Sequence, residues 1–149
     1  MVLTRHPYRL WTQAAAVVLI ATAAAKLAGI LFQSPLLQGV EPMTGLPLSS
    51  VAALIAVGES ILASVLLGSS TAGTAAALTF VFAAGALGYR LLILSPQAPC
   101  PCLGGISHWL PWLAVYERNV LLLILVWLLL TAGGVLLHRR QSATSVRDT

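Results

Sequence analysis

The chain has 149 residues, of which 58% are apolar and only 8% are charged, whereas about a quarter of the residues in soluble domains are charged. This composition excludes an ordinary soluble domain and indicates a single integral membrane domain (1–149) with the lipid bilayer as its surroundings. The formal net charge is +4. The basic residues are nevertheless divided between the termini and the apolar stretches and form no patch, which argues against nucleic acid as a partner.

Four stretches are long and apolar enough to cross a bilayer, for which about 20 residues are needed. They predict an all-α polytopic membrane protein built as a bundle of four transmembrane helices. Small residues are frequent in the first three stretches and predict close helix contacts, whereas the fourth is leucine-rich and is expected to face lipid. The predicted helices cover residues 11–32, 48–67, 74–94 and 120–137.

The first stretch also has features of a secretory signal peptide, because Arg5 and Arg9 precede an apolar run that ends in small residues. The apolar character continues beyond Lys26 as far as Phe32. This continuation favours a retained transmembrane helix over a cleaved signal.

The orientation follows from the positive residues in the short flanks, which accumulate on the cytoplasmic side of membranes. Arginines precede helix one and follow helix four, at Arg5, Arg9, Arg139, Arg140 and Arg147. Both termini are therefore predicted to be cytoplasmic. Residues 33–47 and 95–119 are then expected on the outer face, towards the periplasm or its equivalent.

The outer segment 95–119 has two parts. It begins "SPQAPCPCLGG", in which three prolines prevent a helix. It continues "ISHWLPWLAVYER", whose aromatic residues recur at helical spacing and prefer the membrane interface. This second part predicts a short interfacial helix, broken at Pro111, that either anchors the loop or offers a platform for a substrate.

The two cysteines of the chain, Cys100 and Cys102, are separated only by Pro101. A disulfide needs Cα atoms about 4.4–6.8 Å apart, and one intervening residue meets that distance only in a strained turn. Strain makes a disulfide easier to reduce, and Pro101 restricts the turn in both redox states. The pattern favours thiol–disulfide exchange by Cys100 and Cys102 as the catalytic pair, with either residue as the attacking thiolate.

Two other interpretations of the same residues remain open. Cys100, Cys102 and His108 offer thiolate and imidazole ligands that suit copper or zinc, which would make the chain a soft-metal binding or transport protein. Alternatively, a permanent disulfide would only pin the loop of a non-catalytic membrane scaffold. As an enzyme, the chain would be a thiol–disulfide oxidoreductase.

Three ionisable residues lie inside the predicted helices, where charges are costly and mark pairing or functional sites. Lys26 in helix one and Glu59 in helix two are expected at similar depths, which predicts an ion pair between them. Arg90 lies about one turn below the outer end of helix three. All three are expected in the outer half of the bundle, as supporting residues beneath the cysteines, either as a structural clamp or in proton or electron transfer.

Three short motifs resemble the MauE-like branch of the DoxX superfamily of four-helix bacterial membrane proteins. They are "AAAKLAG" in helix one, "VGESILASVLL" in helix two and "CPCLGG" after helix three. The order of lysine, glutamate and a C-x-C-x-G loop carries the resemblance over about residues 11–137. The family loop is typically nearer "CGCFG", so Pro101 and Leu103 are departures.

The resemblance implies a bacterial inner-membrane protein that works beside periplasmic thioredoxin-like proteins or disulfide-containing clients, as in maturation of the small subunit of methylamine dehydrogenase. It implies that Cys100 and Cys102 are the redox pair and that Lys26 and Glu59 are intramembrane polar positions. Other DoxX relatives are linked with thiosulfate or quinone chemistry. The resemblance therefore allows a quinone as cofactor or redox partner, although the sequence requires none.

Overall fold

The computed structural model describes residues 5–68, 72–92 and 111–145. Apart from the connection between the first two long helices, this part of the chain is helical, and it contains no strand beyond one isolated β-bridge. The all-α fold expected from the sequence is confirmed. The elements are α1 (Arg5–Leu31), a 3₁₀ turn (Pro35–Leu37), α2 (Leu48–Gly68), α3 (Ala72–Leu92) and α4 (Pro111–Ser145).

Each of the four helices contains a segment that is long and apolar enough to cross a membrane. A bilayer core is about 30 Å thick and needs about 20 helical residues. The four-helix membrane bundle predicted from the sequence is therefore confirmed. The spans are Tyr8–Leu31, Leu48–Gly68, Gly73–Leu92 and Asn119–Leu137.

Helix α4 is much longer than its membrane span. Its 35 residues extend over about 52 Å at 1.5 Å per residue, and it begins at Pro111, where a proline is tolerated because the first N–H groups of a helix have no intrahelical partner. From Pro111 onward the aromatic segment is therefore part of α4 and not of a separate short helix. The expected break at Pro111 depends also on the residues before the proline and stays a prediction. The remainder of that segment, together with the prolines before it, lies outside the described residues.

The helices pack mainly in two hairpins, α1 against α2 and α3 against α4. Small side chains such as Ala16, Ala63 and Ala83 are almost fully buried in the core, and they let the helix backbones approach closely where lipid provides no hydrophobic drive. Helix α4 does not simply face lipid, because Leu125 and Leu128 lie in this core. Large apolar side chains on the other faces are exposed, as a surface in contact with lipid requires.

Helix α1 ends in a tight reversal that starts the connection to α2. The N–H of Ser34 donates to the carbonyl of Gly29 at 2.9 Å, and Gln33 adopts a left-handed conformation with φ of 49°. These two features are the Schellman motif of helix termination. Pro35 follows directly and prevents the helix from continuing, because proline has no N–H group to donate.

The rest of this connection, residues 32–47, is called the outer loop after the predicted orientation. The N–H of Glu41 donates to the carbonyl of Leu46, and the N–H of Gly45 donates to that of Glu41, both at 2.8 Å. Gly45 has φ of 71°, a conformation in which a side chain would be strained. The loop is thus a closed turn that returns the chain to α2, rather than an extended connection.

Candidate functional site

The intramembrane charges of α1 and α2 form a salt bridge. The Lys26 Nζ donates to Glu59 Oε1 at 2.8 Å and to Glu59 Oε2 at 2.9 Å. The two residues are only 3% and 6% exposed. The ion pair predicted from the sequence is therefore present, while its role in function stays a prediction.

The surroundings of this pair explain how two charges are accommodated within a span. Ala56 and Ala63 lie one turn to either side of Glu59 on α2 and are 1% exposed. Their small side chains allow α1 and α2 to approach, so that lysine and carboxylate meet directly. A charge in the bilayer is costly alone, and each member of the pair satisfies the other.

Arg90, the third predicted charge, lies in the last turn of α3. A cation at this position is favoured by the carbonyl groups at the helix C-terminus. The side chain is half-buried. Its proposed supporting role beneath the cysteines stays a prediction.

The residues expected to carry the chemistry, Cys100 and Cys102, lie outside the described residues, as does His108. The segment that contains them, residues 93–110, is called the cysteine segment. Within the described ranges, no group of three or more His, Cys, Asp or Glu side chains is placed to hold a metal ion. The redox and metal interpretations of the cysteine segment are therefore both still predictions.

A second buried carboxylate, Glu41 in the outer loop, was missed by the sequence analysis. Its residue is 1% exposed. The Oε2 atom accepts hydrogen bonds from the N–H groups of Met43 at 3.0 Å and Thr44 at 2.6 Å, and from the Thr44 hydroxyl at 2.7 Å. The carboxylate therefore stands at the centre of the turn and holds its backbone.

The other oxygen of Glu41 connects the outer loop to α3. The Tyr89 hydroxyl donates to Glu41 Oε1 at 2.9 Å. Tyr89 lies in the last turn of α3, directly before Arg90. This contact places the end of α3, from which the cysteine segment departs, at the same end of the bundle as the outer loop.

Hydrogen bonding decides the ionisation of Glu41. The bond from the Thr44 hydroxyl, together with those from backbone N–H groups and Tyr89, lowers the pKa of the Glu41 carboxyl below its ordinary value of 4.5, against the opposing effect of burial. Donors that point at a carboxylate favour its charged form. Glu41 is thus an anion at neutral pH, and none of the described residues that donate a hydrogen bond to it is basic.

An open pocket of about 350 Å³ lies near the start of the outer loop, between the ends of α1 and α2. Its polar side chains are two serines and two glutamines, so it presents hydrogen-bonding groups without charge. No thiol, imidazole or carboxylate is among the described residues that line it, which are Gly29, Ile30, Gln33, Ser34, Leu37, Gln38, Pro47 and Ser49.

The family model described as "Methylamine utilisation protein MauE" matches residues 7–131. This range includes most of the chain, all of α2 and α3, and all of α1 except its first two residues. The chain belongs to the MauE family. No curated protein and no solved structure matches the chain.

The MauE match extends over both buried carboxylates, their partners and the cysteine segment. Together with the four spans, it makes the chain a multi-pass membrane protein of a family associated with methylamine utilisation. The wider DoxX relationship and the cytoplasmic position of the termini stay predictions. The whole chain has four acidic residues. Two of them, Glu41 and Glu59, connect different elements of the bundle.

Proposed function

We propose that this MauE-family protein exchanges disulfides with a thioredoxin-like partner or a disulfide-containing client on the outer face of the membrane. Cys100 and Cys102 carry the reaction. The observation that supports this most strongly is that the only two cysteines of the chain stand one residue apart within the MauE-matched range, in the segment that leaves α3.

The reaction is a two-step exchange in which the electrons balance. A thiolate of the reduced pair attacks the disulfide of the partner, so that a mixed disulfide forms and one partner sulfur leaves as a thiolate. The second cysteine then attacks the mixed disulfide. The Cys100–Cys102 disulfide forms, the partner leaves as a dithiol, and two electrons have moved to the partner; the reverse sequence oxidises it.

The cycle needs a second redox component that resets the cysteine pair. A membrane dithiol or disulfide protein, or a quinone in the bilayer, would serve this purpose. With both termini in the cytoplasm of a bacterial inner membrane, the cysteine segment faces the periplasm, where disulfides persist. Clients of such a protein would be secreted redox enzymes with several disulfides, such as methylamine dehydrogenase.

The intramembrane pair has a supporting role in this proposal. Lys26 and Glu59 fix α1 against α2, and Arg90 lies at the end of α3 that leads to the cysteines. They stabilise the bundle to which the cysteine segment is connected, while the exchange itself needs only the two sulfur atoms and the partner.

Trapping tests this proposal. Cys100→Ser and Cys102→Ser are made separately and expressed with a periplasmic thioredoxin-like protein of the host, and adducts are resolved on a non-reducing gel. We expect one of the two variants to accumulate a mixed disulfide that reductant dissolves, because the resolving thiol is missing. The double variant is the control and should give no adduct.

The competing interpretations predict other outcomes. Absence of an adduct from both single variants, under conditions in which the native pair cycles, would contradict the exchange mechanism. Copper or zinc that co-purifies stoichiometrically and is lost in Cys100→Ser would indicate a metal site. Single variants that retain full activity and lose only stability would indicate a structural disulfide.

A further inference from the structure

We propose that the hydrogen bond between Glu41 and Tyr89 is a positioning contact for the cysteine pair, which fixes the departure point of the cysteine segment against the outer loop. This inference rests on the proposed function. It concerns residues that no part of that function uses, and it assigns Glu41 and Tyr89 as positioning residues rather than catalytic ones.

The first observation is the inverted burial of the outer loop. Glu41 is 1% exposed, whereas its apolar neighbours Val40, Met43 and Leu46 are 64%, 58% and 45% exposed. A loop that simply collapsed would bury apolar groups and leave the acid in solvent. The carboxylate is therefore the organising group of the turn.

The second observation is that the two carboxylate oxygens of Glu41 bind different parts of the molecule. Oε2 accepts all three hydrogen bonds from within the loop, from Met43 and Thr44. Oε1 accepts the hydroxyl of Tyr89 from α3. Oε2 thus holds the backbone of the loop, and Oε1 connects this loop to the end of α3. The bond to Oε1 is charge-assisted and is therefore stronger than one between neutral groups.

The third observation is the place of this bond in the bundle. The outer loop joins α1 to α2, and Tyr89 belongs to the hairpin of α3 and α4, so the bond ties the two hairpins together at their outer end. Only two residues separate Tyr89 from the last residue of α3, Leu92. The chain then enters the cysteine segment, whose starting point is set by this turn of helix.

The consequence is a thermodynamic coupling between the contact and the redox state of the cysteines. Dithiol and disulfide forms of a C-P-C turn need different chain paths, and a fixed starting point favours one path over the other. Coupling is reciprocal. Breaking the contact must then change the equilibrium between the two redox forms, and changing the redox form must change the protection of the turn around Glu41.

The experiment measures the equilibrium constant of the cysteine pair with reduced and oxidised glutathione, using full-length protein in nanodiscs and alkylation of free thiols. Tyr89→Phe removes only the hydroxyl that reaches Glu41. We expect it to change the equilibrium constant by about five- to tenfold, a coupling at the lower end of the usual range. Tyr8→Phe is the matched control at the opposite end of α1 and should leave the constant unchanged.

A second variant keeps the test independent of any effect of Tyr89→Phe on folding. Thr44→Val removes the hydroxyl that holds Oε2 and leaves Tyr89 in place, and it should shift the constant in the same direction by a smaller factor. Hydrogen exchange at the Thr44 amide should also differ between the dithiol and disulfide forms of the native protein. A contact that is only structural would alter the unfolding midpoint without moving either quantity.

The outcomes separate the two proposals. If the native cysteine pair equilibrates with glutathione, and Tyr89→Phe and Thr44→Val have the same equilibrium constant as the native protein, the positioning role is wrong and the exchange function stands. If the native pair never forms a disulfide with glutathione, the exchange function fails, and the positioning role falls with it.

Discussion

The protein buries two carboxylates in different ways. Glu59 lies within the membrane and is neutralised by a cation, the ammonium of Lys26. Glu41 lies in the outer loop, and in the part of the chain that the structure describes its hydrogen-bond donors are uncharged N–H and O–H groups. Inside a helix the backbone N–H groups are already hydrogen-bonded, so the buried carboxylate of Glu59 is paired with a cation. In a turn the N–H groups are free to donate, so they can stabilise the carboxylate of Glu41 without a cation.

The largest effect is expected from removing the cation of the intramembrane pair. Lys26→Met leaves the Glu59 carboxylate buried alone, which typically costs about 3–5 kcal/mol. Unfolding of the purified protein in mixed micelles with increasing dodecyl sulfate measures this loss. The double variant Lys26→Met/Glu59→Leu is the matched control, and it should recover most of the stability because no charge remains buried. Equal stability of the single and double variants would show that the pair is not the stabilising feature of this contact.

Removal of the loop carboxylate should have a local effect instead. Glu41→Ala leaves the N–H groups of Met43 and Thr44 without their acceptor, so their hydrogen exchange should accelerate by about tenfold, as expected for loss of a hydrogen bond to a charged group. Amides in the middle of α2 should keep their exchange rates. If amides along α2 accelerated equally, Glu41 would stabilise the whole bundle and the contrast with Glu59 would disappear.

The pH dependence of the loop sharpens the comparison further. Because the pKa of Glu41 is lowered on folding from 4.5, its stabilising effect is fully present above pH 4.5 and is lost as the pH falls through the folded value. Hydrogen exchange at Thr44, corrected for the intrinsic rate, should therefore accelerate as the pH is lowered beyond that point. Glu41→Gln should remove this dependence; an unchanged profile in Glu41→Gln would assign the titration to another group.

The smallest effect on stability is expected from Tyr89→Phe. The substitution removes one hydrogen bond and no charge, which typically costs about 0.5–1.5 kcal/mol. The same dodecyl sulfate titration measures it, with Tyr8→Phe as the control. A loss as large as that of Lys26→Met would mean that this contact between the two hairpins stabilises the bundle as much as the salt bridge within the first hairpin.

The sequence predicted the membrane pair but not the loop contact, for a physical reason. Helices of regular rise make the depths of Lys26 and Glu59 calculable from residue numbers, and apolar surroundings make each charge conspicuous. The burial and orientation of the Glu41 side chain depend on the path of an irregular loop. This path cannot be inferred from a repeating pattern in the sequence. The one available signal was the E-P-M-T-G sequence itself, with an acid three residues before a threonine and a glycine next to it.

Helix ends show the same limit. The predicted start of the fourth helix at residue 120 followed the hydropathy, which marks the span from Asn119, whereas the helix itself begins at Pro111. Hydropathy indicates which residues can lie in the lipid, whereas the hydrogen bonds of the helix extend beyond those residues. Likewise, leucine content alone did not reveal that Leu125 and Leu128 share a buried face of α4.

The most direct test of the central claim is thiol labelling of the native protein in intact spheroplasts with a membrane-impermeant maleimide. The account predicts that Cys100 and Cys102 are protected after mild oxidation and that both are labelled from outside after reduction. Protection after oxidation should require both residues, so either single serine variant should be labelled without reductant. Labelling only after the cytoplasmic face is opened, or sulfurs that stay reactive after oxidation, would contradict the account.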